Sequence, residues 1–404
     1  MSGTTAGTEP STPQGTWSLP SIVAVAFGHG ACDFYGGMVP LLIFFLVVRE
    51  QGLPPLYQGV AGFAWYLTSS IVQPFFGYYS DRHGRWWFLP SGVLVAVIAV
   101  GLIGFTRDYP SLLALTALGG FGSAVMHPEA GRYAAQVGSR RHGSAISIFQ
   151  VGGQLGYGLG PIVIAALLER FGSRASGLIA LPGLVAVAVL FAVMPRVHAR
   201  SLQDRPEAHP TANGKPAKVN LVDVVLLIGS TALRHMTTAA FITYLPNVLT
   251  GRGDTLGRAG QVVTAFLVVG NLGLLGGGIL GDRLGHRVVS FVSLSLSVPA
   301  LLCFFLLPSP WALAGLLVGS VLLAMQNAPG VALTQALMPR NLGMALGLMN
   351  GVAFGFGSAA VALLGTQVGR IGAGPTLSQV CFVPLLAAVC FVLVGRFRWA
   401  GPRA

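Results

Sequence analysis

The sequence GYYSDRHGRW at residues 77–86 returns 201 positions later as a near copy, GILGDRLGHR, at residues 278–287. Both copies hold a glycine, an Asp-Arg pair and a second glycine in the same order. Glycine permits the tight turn and close packing that a short loop between helices needs. Long apolar segments flank both copies. The pattern predicts two related helical units, each with a charged turn inside it.

Other pairs support the same repeat. Pro128 and Pro329 are also 201 positions apart, and His29 precedes Pro40 by eleven residues, as His235 precedes Pro246. Two parallel helical repeats with a cavity between them are typical of transporters that rock between two states.

The composition indicates a helical membrane protein. Of 404 residues, 53% are hydrophobic and 9% are charged, whereas a soluble domain carries roughly 25% charged residues. The apolar segments are continuous, and many reach the roughly 20 residues that a helix needs to cross a bilayer. A β-barrel would show short alternating segments instead. We therefore expect an all-α membrane protein with the lipid bilayer as its surroundings.

Twelve helices in two six-helix bundles are predicted, at residues 20–196 and 220–398. A polar linker at 197–219 separates them, and the tails at 1–19 and 399–404 are expected to be disordered or irregular. The helices cover roughly 21–48, 56–79, 87–106, 110–136, 143–168, 176–195, 220–249, 259–281, 288–307, 310–337, 343–368 and 376–395.

The positive charges predict the orientation. Loops on the side of the N-terminus hold 16 Lys and Arg residues, and loops on the other side hold seven; Arg234 lies within a predicted helix. Lys and Arg are enriched in cytoplasmic loops, so both termini are expected in the cytoplasm. This bias also explains the net charge of +12 without a nucleic-acid partner.

The repeated G-x-x-x-D-R-x-G-R loop resembles the signature of the major facilitator superfamily. The resemblance implies a cytoplasmic latch that holds the outward-open state, with Asp81 at the start of predicted helix 11 and Asp282 at the start of predicted helix 5. A plain charged turn that only fixes topology is the alternative. The latch residues would be Gly77, Asp81, Arg82, Gly84, Arg85, Gly278, Asp282 and Arg283.

A narrower resemblance is carried by AVMHPEAGRYAAQ (124–136), RRHGSAISIFQVGGQLGYGLGPI (140–162) and GHGACDFYGGMVPLL (28–42). These segments are similar to helices 4, 5 and 1 of fosmidomycin resistance proteins, which are drug exporters within the superfamily. Gly156, Gly160 and Pro161 resemble the core of the helix 5 motif of antiporters, in which small residues allow helices to pack closely.

Ionisable residues inside predicted helices are the candidate site, because each costs roughly 2.5–3.5 kcal/mol to insert. Asp33 and Glu129 are the candidate proton carriers, and the proton is the only cofactor expected. Static pairing, for example of Asp33 with Arg234, is the alternative, and His127 could instead satisfy backbone next to Pro128. The predicted substrate contacts are His29, Tyr35, His127, Gln150, Arg234, His235, Tyr244 and Asn327.

The leading hypothesis is a monomeric proton-coupled antiporter of the cytoplasmic membrane that exports a small anionic, phosphonate-like drug. An importer or exchanger of organic anions or sugar phosphates, and an exporter of cationic drugs, are alternatives on the same fold. The sequence contains no nucleotide-binding loop, H-E-x-x-H motif or nucleophile elbow, so we expect neither an enzyme nor an ATP-driven pump. No metal site is predicted.

Overall fold

The computed structural model describes residues 17–138, 141–203, 221–338 and 348–394. These residues form helices and short connections, and they contain no β-strand. The helices are α1 (Leu19–Ile43, continued by a π-helical turn, Phe44–Glu50), α2 (Pro55–His83), α3 (Phe88–Ile103), α4 (Tyr109–Val137), α5 (His142–Phe171), α6 (Ala175–Gln203), α7 (Leu221–Gly251), α8 (Leu256–Leu284), α9 (His286–Leu306), α10 (Trp311–Met325), α11 (Asn327–Leu337), α12 (Ala353–Ile371, preceded by a π-helical turn, Leu348–Val352), α13 (Ala373–Val380) and α14 (Val383–Leu393).

Several helix boundaries differ from the predicted ones. α6 continues to Gln203, into the segment that was predicted as linker from residue 197. The predicted helix at 310–337 is divided at Gln326 into α10 and α11, and the one at 376–395 is divided into α13 and α14. The rest of the linker, residues 1–16 of the predicted N-terminal tail, the C-terminal tail and the predicted start of helix 11 at residue 343 lie outside the described residues.

Eight helical segments within the described ranges are long and apolar enough to cross a membrane. One of them runs for 59 residues from Ser144 to Leu202, which is far more than the roughly 20 residues of one crossing. It contains two helices, because α5 ends at Gly172, where φ is 62°. Glycine adopts this left-handed conformation at little cost, so the chain can turn there.

Two hydrophobic cores lie in the two halves of the chain. The first joins buried side chains of α1–α6, with Leu256 of α8 added, and the second joins side chains of α7 and the helices that follow it. Each half therefore buries its own apolar residues. The exact limits of the two predicted bundles stay a prediction.

Close packing of α1 against α5 shapes the first half. A Cβ atom on Gly160 would lie 2.6 Å from the carbonyl oxygen of Phe34, and one on Gly30 would lie 2.8 Å from that of Gly152. A Cβ on Gly156 would overlap the Gly30 carbonyl. Real Cβ atoms do not approach backbone this closely, so these glycines are what lets the two helices touch.

The halves are joined at the end of the bundle opposite to the Asp-Arg loops. There, α2 packs on α12 and α5 packs on α8. Gln58 of α2 donates to the Thr243 carbonyl and accepts from Asn247, at 2.5 and 3.1 Å. Ile162 and Glu169 of α5 bond to residues in the N-terminal third of α8. We call this end of the bundle the joined end.

Candidate transport site

A triad of ionisable side chains connects α1 and α4. Nε2 of His29 lies 3.1 Å from Oδ2 of Asp33, and Nε2 of His127 lies 3.2 Å from Oδ1 of the same carboxylate. His29 and Asp33 face each other because residues four apart share one side of a helix. The two imidazole rings meet edge to face with centroids 5.0 Å apart. The structure thus brings together three of the predicted residues.

Backbone carbonyl groups hold both histidines of the triad. Nδ1 of His29 lies 2.8 Å from the carbonyl oxygen of Phe149 on α5, whose ring stacks on the imidazole at 4.1 Å. Nδ1 of His127 lies 2.8 Å from the carbonyl oxygen of Ser123, one turn earlier in α4. His127 therefore bonds to the backbone of its own helix, which is one of the two predicted alternatives. It also contacts Asp33.

The triad has the residue types of a metal site, and its ligand-type atoms lie within 4.8 Å of one another. The two Nε2 atoms face different oxygens of Asp33, at 3.1 and 3.2 Å. This is the geometry of two hydrogen bonds that share one acceptor group.

Arg234 is a buried cation in the middle of α7. Its residue exposure is 5%, and its Nε and Nη2 atoms have no hydrogen-bond partner among the described residues. The sequence suggested Asp33 as a possible ion-pair partner of Arg234, but Asp33 is bonded to the two histidines instead. A buried charged group without a partner is costly. The guanidinium group therefore offers free donors to an anion.

Aromatic side chains surround the α7 residues. The ring of Phe354 on α12 stacks on His235 at 4.1 Å and lies 5.9 Å from Cζ of Arg234. Nε2 of His235 is 3.2 Å from the hydroxyl of Ser358. Tyr66 of α2 meets the His235 ring edge to face at 5.5 Å. His235 thus lies where the two halves meet.

Tyr66 also connects the triad side with the α7 side. Its hydroxyl lies 2.7 Å from the hydroxyl of Tyr157 on α5, and both tyrosines lie near enough to Asp33 to sense its charge. Tyr66 thus contacts Tyr157 of the first half and His235 of the second half.

Glu129 lies in a different setting from Asp33. Its side chain is fully buried and bonds to Arg132 one turn later in α4 and to the hydroxyl of Ser80 on α2. Arg132 also donates to Gln136 at 3.1 Å. The carboxylate is thus enclosed by a cation and a hydroxyl, which is the arrangement of a static ion pair.

Four predicted substrate contacts do not join this group. The hydroxyl of Tyr35 donates to the Ile179 carbonyl at 2.6 Å, and that of Tyr244 donates to the Val361 carbonyl at 3.0 Å. Both rings are buried in the hydrophobic cores, so they hold helices together. Gln150 is exposed on α5, and Asn327 is half-buried at the start of α11.

Sequence reasoning named neither Gln326 nor Phe354 among the substrate contacts. Gln326 is fully buried, reaches Thr231 on α7 at 3.4 Å, and leaves its Oε1 without a partner in the described part of the chain. The signal available in the sequence was the pair of adjacent amides, Gln326 and Asn327, inside an apolar segment, because interrupted helices line the binding site in many transporters. Phe354 carried no signal in an apolar run.

The Asp-Arg loops lie at the ends of α2 and α8. Arg82 stacks over Tyr78 at 4.1 Å, and Arg85 and Arg283 are exposed. Gly77 and Gly278 pack on α4 and α11 at ordinary distances, and a Cβ on Gly84 would lie 2.7 Å from Arg132. The Asp81 side chain lies outside the described residues.

The predicted docking of Asp282 at the start of α5 is not the arrangement found. Its side chain is 80% exposed and lies 3.8 Å from Nε2 of His286, four residues later. The latch role stays a prediction, since a latch is engaged in only one of the states of a transporter.

Comparisons with known proteins agree with this architecture. The model of the Major Facilitator Superfamily matches residues 24–362 and again residues 227–403. The fosmidomycin resistance protein of Escherichia coli (strain K12) is 28% identical over 390 residues, which cover 96% of both chains. The multidrug resistance protein MdtG of Dickeya zeae (strain Ech586) is 29% identical over 70% of this chain and 72% of its own length.

A solved structure has the same fold. The crystal structure of a bacterial homologue of the human lysosomal transporter Spinster, in an inward-facing and unoccupied conformation, aligns with a TM-score of 0.74 at 15% identity, over 95% of this chain and 100% of that chain. The relatives and the family are transporters, and several relatives are named for drug resistance. The chain belongs to the major facilitator superfamily and is a multi-pass membrane transporter, not an enzyme.

Proposed function

We propose that this transporter exports a small anionic compound in exchange for protons, and that Arg234 binds the negatively charged group of the substrate. The observation that carries the proposal is the guanidinium group of Arg234 in α7, at 5% exposure, whose Nε and Nη2 have no hydrogen-bond partner within the described ranges. A planar guanidinium matches the oxygens of a carboxylate or phosphonate with two parallel hydrogen bonds. A cationic drug would add a second positive charge beside it and would be repelled.

The substrate class follows from the groups around Arg234. Phe354 offers a flat apolar surface beside the cation, and Gln326 offers an unpaired amide oxygen near Thr231. A compact phosphonate with a short apolar part and a donor group would use all three. The similarity to a protein named for fosmidomycin resistance supports a phosphonate-like drug as the first compound to test.

The orientation belongs to the same proposal. We place both termini in the cytoplasm, because Lys and Arg are enriched on the side of the Asp-Arg loops. Twelve spans and a monomer in the cytoplasmic membrane are part of the same proposal. The joined end then faces outward. Together with the similarity to an inward-facing transporter, this favours an inward-open state that takes its substrate from the cytoplasm.

Proton coupling is proposed for Asp33, with no cofactor besides the proton. Asp33 is only partly buried and bonds to two titratable side chains, whereas Glu129 is enclosed with Arg132. Inward flow of protons down a pH gradient would drive the substrate outward. Glu129 is therefore better explained as a structural residue than as a second proton carrier.

Purified protein in proteoliposomes with an imposed pH gradient tests the proposal against a phosphonate, a sugar phosphate and a cationic dye. Gradient-driven phosphonate transport is expected, and Arg234→Gln should weaken phosphonate binding more than about tenfold, or about 1.4 kcal/mol. Its melting temperature should change little, since Nε and Nη2 of Arg234 have no hydrogen-bond partner to lose among the described residues. Arg170→Gln, at the exposed end of α5, is the control.

Three outcomes would contradict the proposal. Unaltered phosphonate affinity in well-folded Arg234→Gln protein would remove the anion site. Transport of the dye alone would favour the cationic-drug alternative. Phosphonate or sugar-phosphate movement in the same direction as protons would identify an importer on the same fold.

A further inference from the structure

We propose that the proton exchanged during transport is held between Nε2 of His127 and Oδ1 of Asp33, and that His29 is the fixed partner that positions the carboxylate. This inference rests on the proposed function, because it names the groups that would carry the coupling proton. It also gives His127 a different role from the substrate contact that the sequence suggests.

The hydrogen bonds of the triad determine how many protons it holds. A carbonyl oxygen can only accept, so Nδ1 of His29 and Nδ1 of His127 each donate a proton, to Phe149 and Ser123. A neutral imidazole carries one proton, and that proton is then already used. Each Nε2–Oδ contact therefore needs a further proton of its own, either on the ring or on the carboxyl group.

Two exchangeable protons thus belong to the triad in this arrangement, one for each contact of Asp33. Its net charge is +1 wherever the two protons lie, since two imidazolium ions and a carboxylate carry the same charge as one imidazolium ion and a carboxylic acid. If one proton leaves, a lone pair on Nε2 of one imidazole faces a lone pair on an oxygen of Asp33 across that contact. They repel, and that contact opens.

The solvent exposure of each histidine, and the helices that its contact with Asp33 joins, decide which contact opens. The side chain of His127 is 25% exposed, and that of His29 is 5% exposed. His29 is held to Asp33 within one helix, stacks on Phe149, and has Gly153 against its ring. The His127 contact joins two helices, α4 and α1. It is the contact that water can reach and that a relative movement of two helices can break.

The surroundings favour protons as the species that moves. The other titratable groups close to Asp33 are Cys32 of α1, Tyr66 of α2 and Tyr157 of α5. Thiol and phenol groups of this kind are neutral near pH 7, and the guanidinium of Arg234 on α7 is not bonded to the carboxylate. Within the described part of the chain, the two histidines are the ion-pair partners of Asp33.

A divalent metal ion is the competing occupant, because two imidazoles and a carboxylate are ligands that Zn²⁺ accepts. Zn²⁺ would need to contact both Nε2 atoms at roughly 2.0–2.1 Å. Each Nε2 atom instead has its own oxygen of Asp33 at hydrogen-bond distance, 3.1 and 3.2 Å. Protons account for these two contacts, and the experiment below includes the metal as an outcome.

The test compares two activities in proteoliposomes. Export driven by a pH gradient requires a proton to be taken up and released, whereas exchange of internal for external labelled phosphonate at equal pH requires no net proton movement. In His127→Gln the amide can still donate to Asp33 but cannot take up a proton. We expect gradient-driven export to fall at least about tenfold while phosphonate exchange stays within about twofold of wild type.

His29→Gln and His198→Gln complete the series. His29→Gln should move the pH at which gradient-driven export is half-maximal, since a titratable group beside Asp33 has been removed. A merely structural role of His29 would leave that pH unchanged. His198 bonds to Tyr133 near the end of α6, away from the triad, so His198→Gln should behave like wild type in both assays.

Each failure has a separate signature. If the wild type shows no gradient-driven export, the proposed function fails. If the wild type is driven by the gradient and His127→Gln is driven equally, the proton assignment is overturned; His127→Asn serves as the second variant if the first does not reach the membrane. Export that is lost with a strong chelator and restored by Zn²⁺ would overturn the proposal and identify a metal site.

Discussion

The carboxylate of Glu169 at the end of α5 accepts a hydrogen bond of 2.6 Å from the backbone N–H of Gly257 in the first turn of α8. The two residues belong to different halves of the chain. The first N–H groups of a helix have no partner within the helix, and the positive end of the helix dipole attracts a carboxylate. Glu169 therefore fastens the two halves at the joined end.

Glu169→Ala should shift the protein away from the state described here, in which this end is closed. An anion at a helix N-terminus contributes roughly 0.3–1 kcal/mol, so the ratio of the two states should change by up to about fivefold. Distances between spin labels placed across the joined end would show a larger share of long distances.

Glu50→Ala is the matched control, because Glu50 is an exposed glutamate at the end of the π-helical turn that follows α1. It should leave the label distances as they are in wild type. Equal distance distributions in wild type and Glu169→Ala would show that the carboxylate does not hold the halves together.

Gly153 tests the packing that orients the triad. A Cβ atom at this position would overlap the imidazole ring of His29. Gly153→Ala should therefore displace the ring or strain α5, at a cost of about 1–3 kcal/mol for overpacking, and lower the melting temperature. Gly229→Ala on α7, where an added Cβ meets no atom within 4 Å, should keep the wild-type melting temperature or raise it slightly. Similar melting of both variants would contradict the close contact.

Much of the fold could be predicted from the sequence, because hydrophobic segments and a repeated loop are local signals. Apart from the C-terminal end of α6, the helices α1–α9 begin and end within a few residues of their predicted positions. The breaks at Gln326 and at residues 381–382 were not predicted, since Gln326 and Asn327 lie inside an otherwise apolar segment and residues 381–382 are apolar themselves. α6 extends to Gln203, where polar composition had suggested a linker; a helix end depends on its tertiary neighbours as well as on composition.

Only part of the site could be predicted, because the contacts between its residues depend on how separate helices pack against one another. Spacing along one helix could place His29 and Asp33 together, and the sequence identified every member of the triad as an intramembrane group. Whether Asp33 would pair with Arg234 or with histidines depends on how α1, α4 and α7 are placed in space. Local spacing contains no information on that placement. The same holds for Tyr35 and Tyr244, whose hydroxyls bond to backbone of neighbouring helices.

Phe354 is expected to orient Arg234 for the substrate. Its ring stacks on His235 and lies 5.9 Å from Cζ of Arg234. Phe354→Leu keeps an apolar side chain but removes the aromatic face, and a cation–π contact contributes roughly 0.5–2 kcal/mol. Phosphonate affinity should fall about two- to thirtyfold in a binding measurement. Phe356→Leu, on the same helix with 67% of the residue exposed, should bind as wild type; equal losses in both variants would exclude a specific role for the ring.

A double-mutant cycle can test whether Glu129 and Arg132 form a static ion pair or take part in proton transport. Removing one partner of a buried ion pair costs about 3–5 kcal/mol, because the other charge stays buried without compensation. Glu129→Gln should therefore lower the melting temperature strongly, and the same change combined with Arg132→Met should recover much of that loss.

The double variant should also recover gradient-driven export, since a static pair contributes to folding and not to proton movement. Thermal melting and proteoliposome export, measured on the two single variants and the double variant, check both expectations. A double variant that regains its melting temperature but stays without gradient-driven export would show that Glu129 carries a proton after all, and Asp33 would then share the coupling role with it.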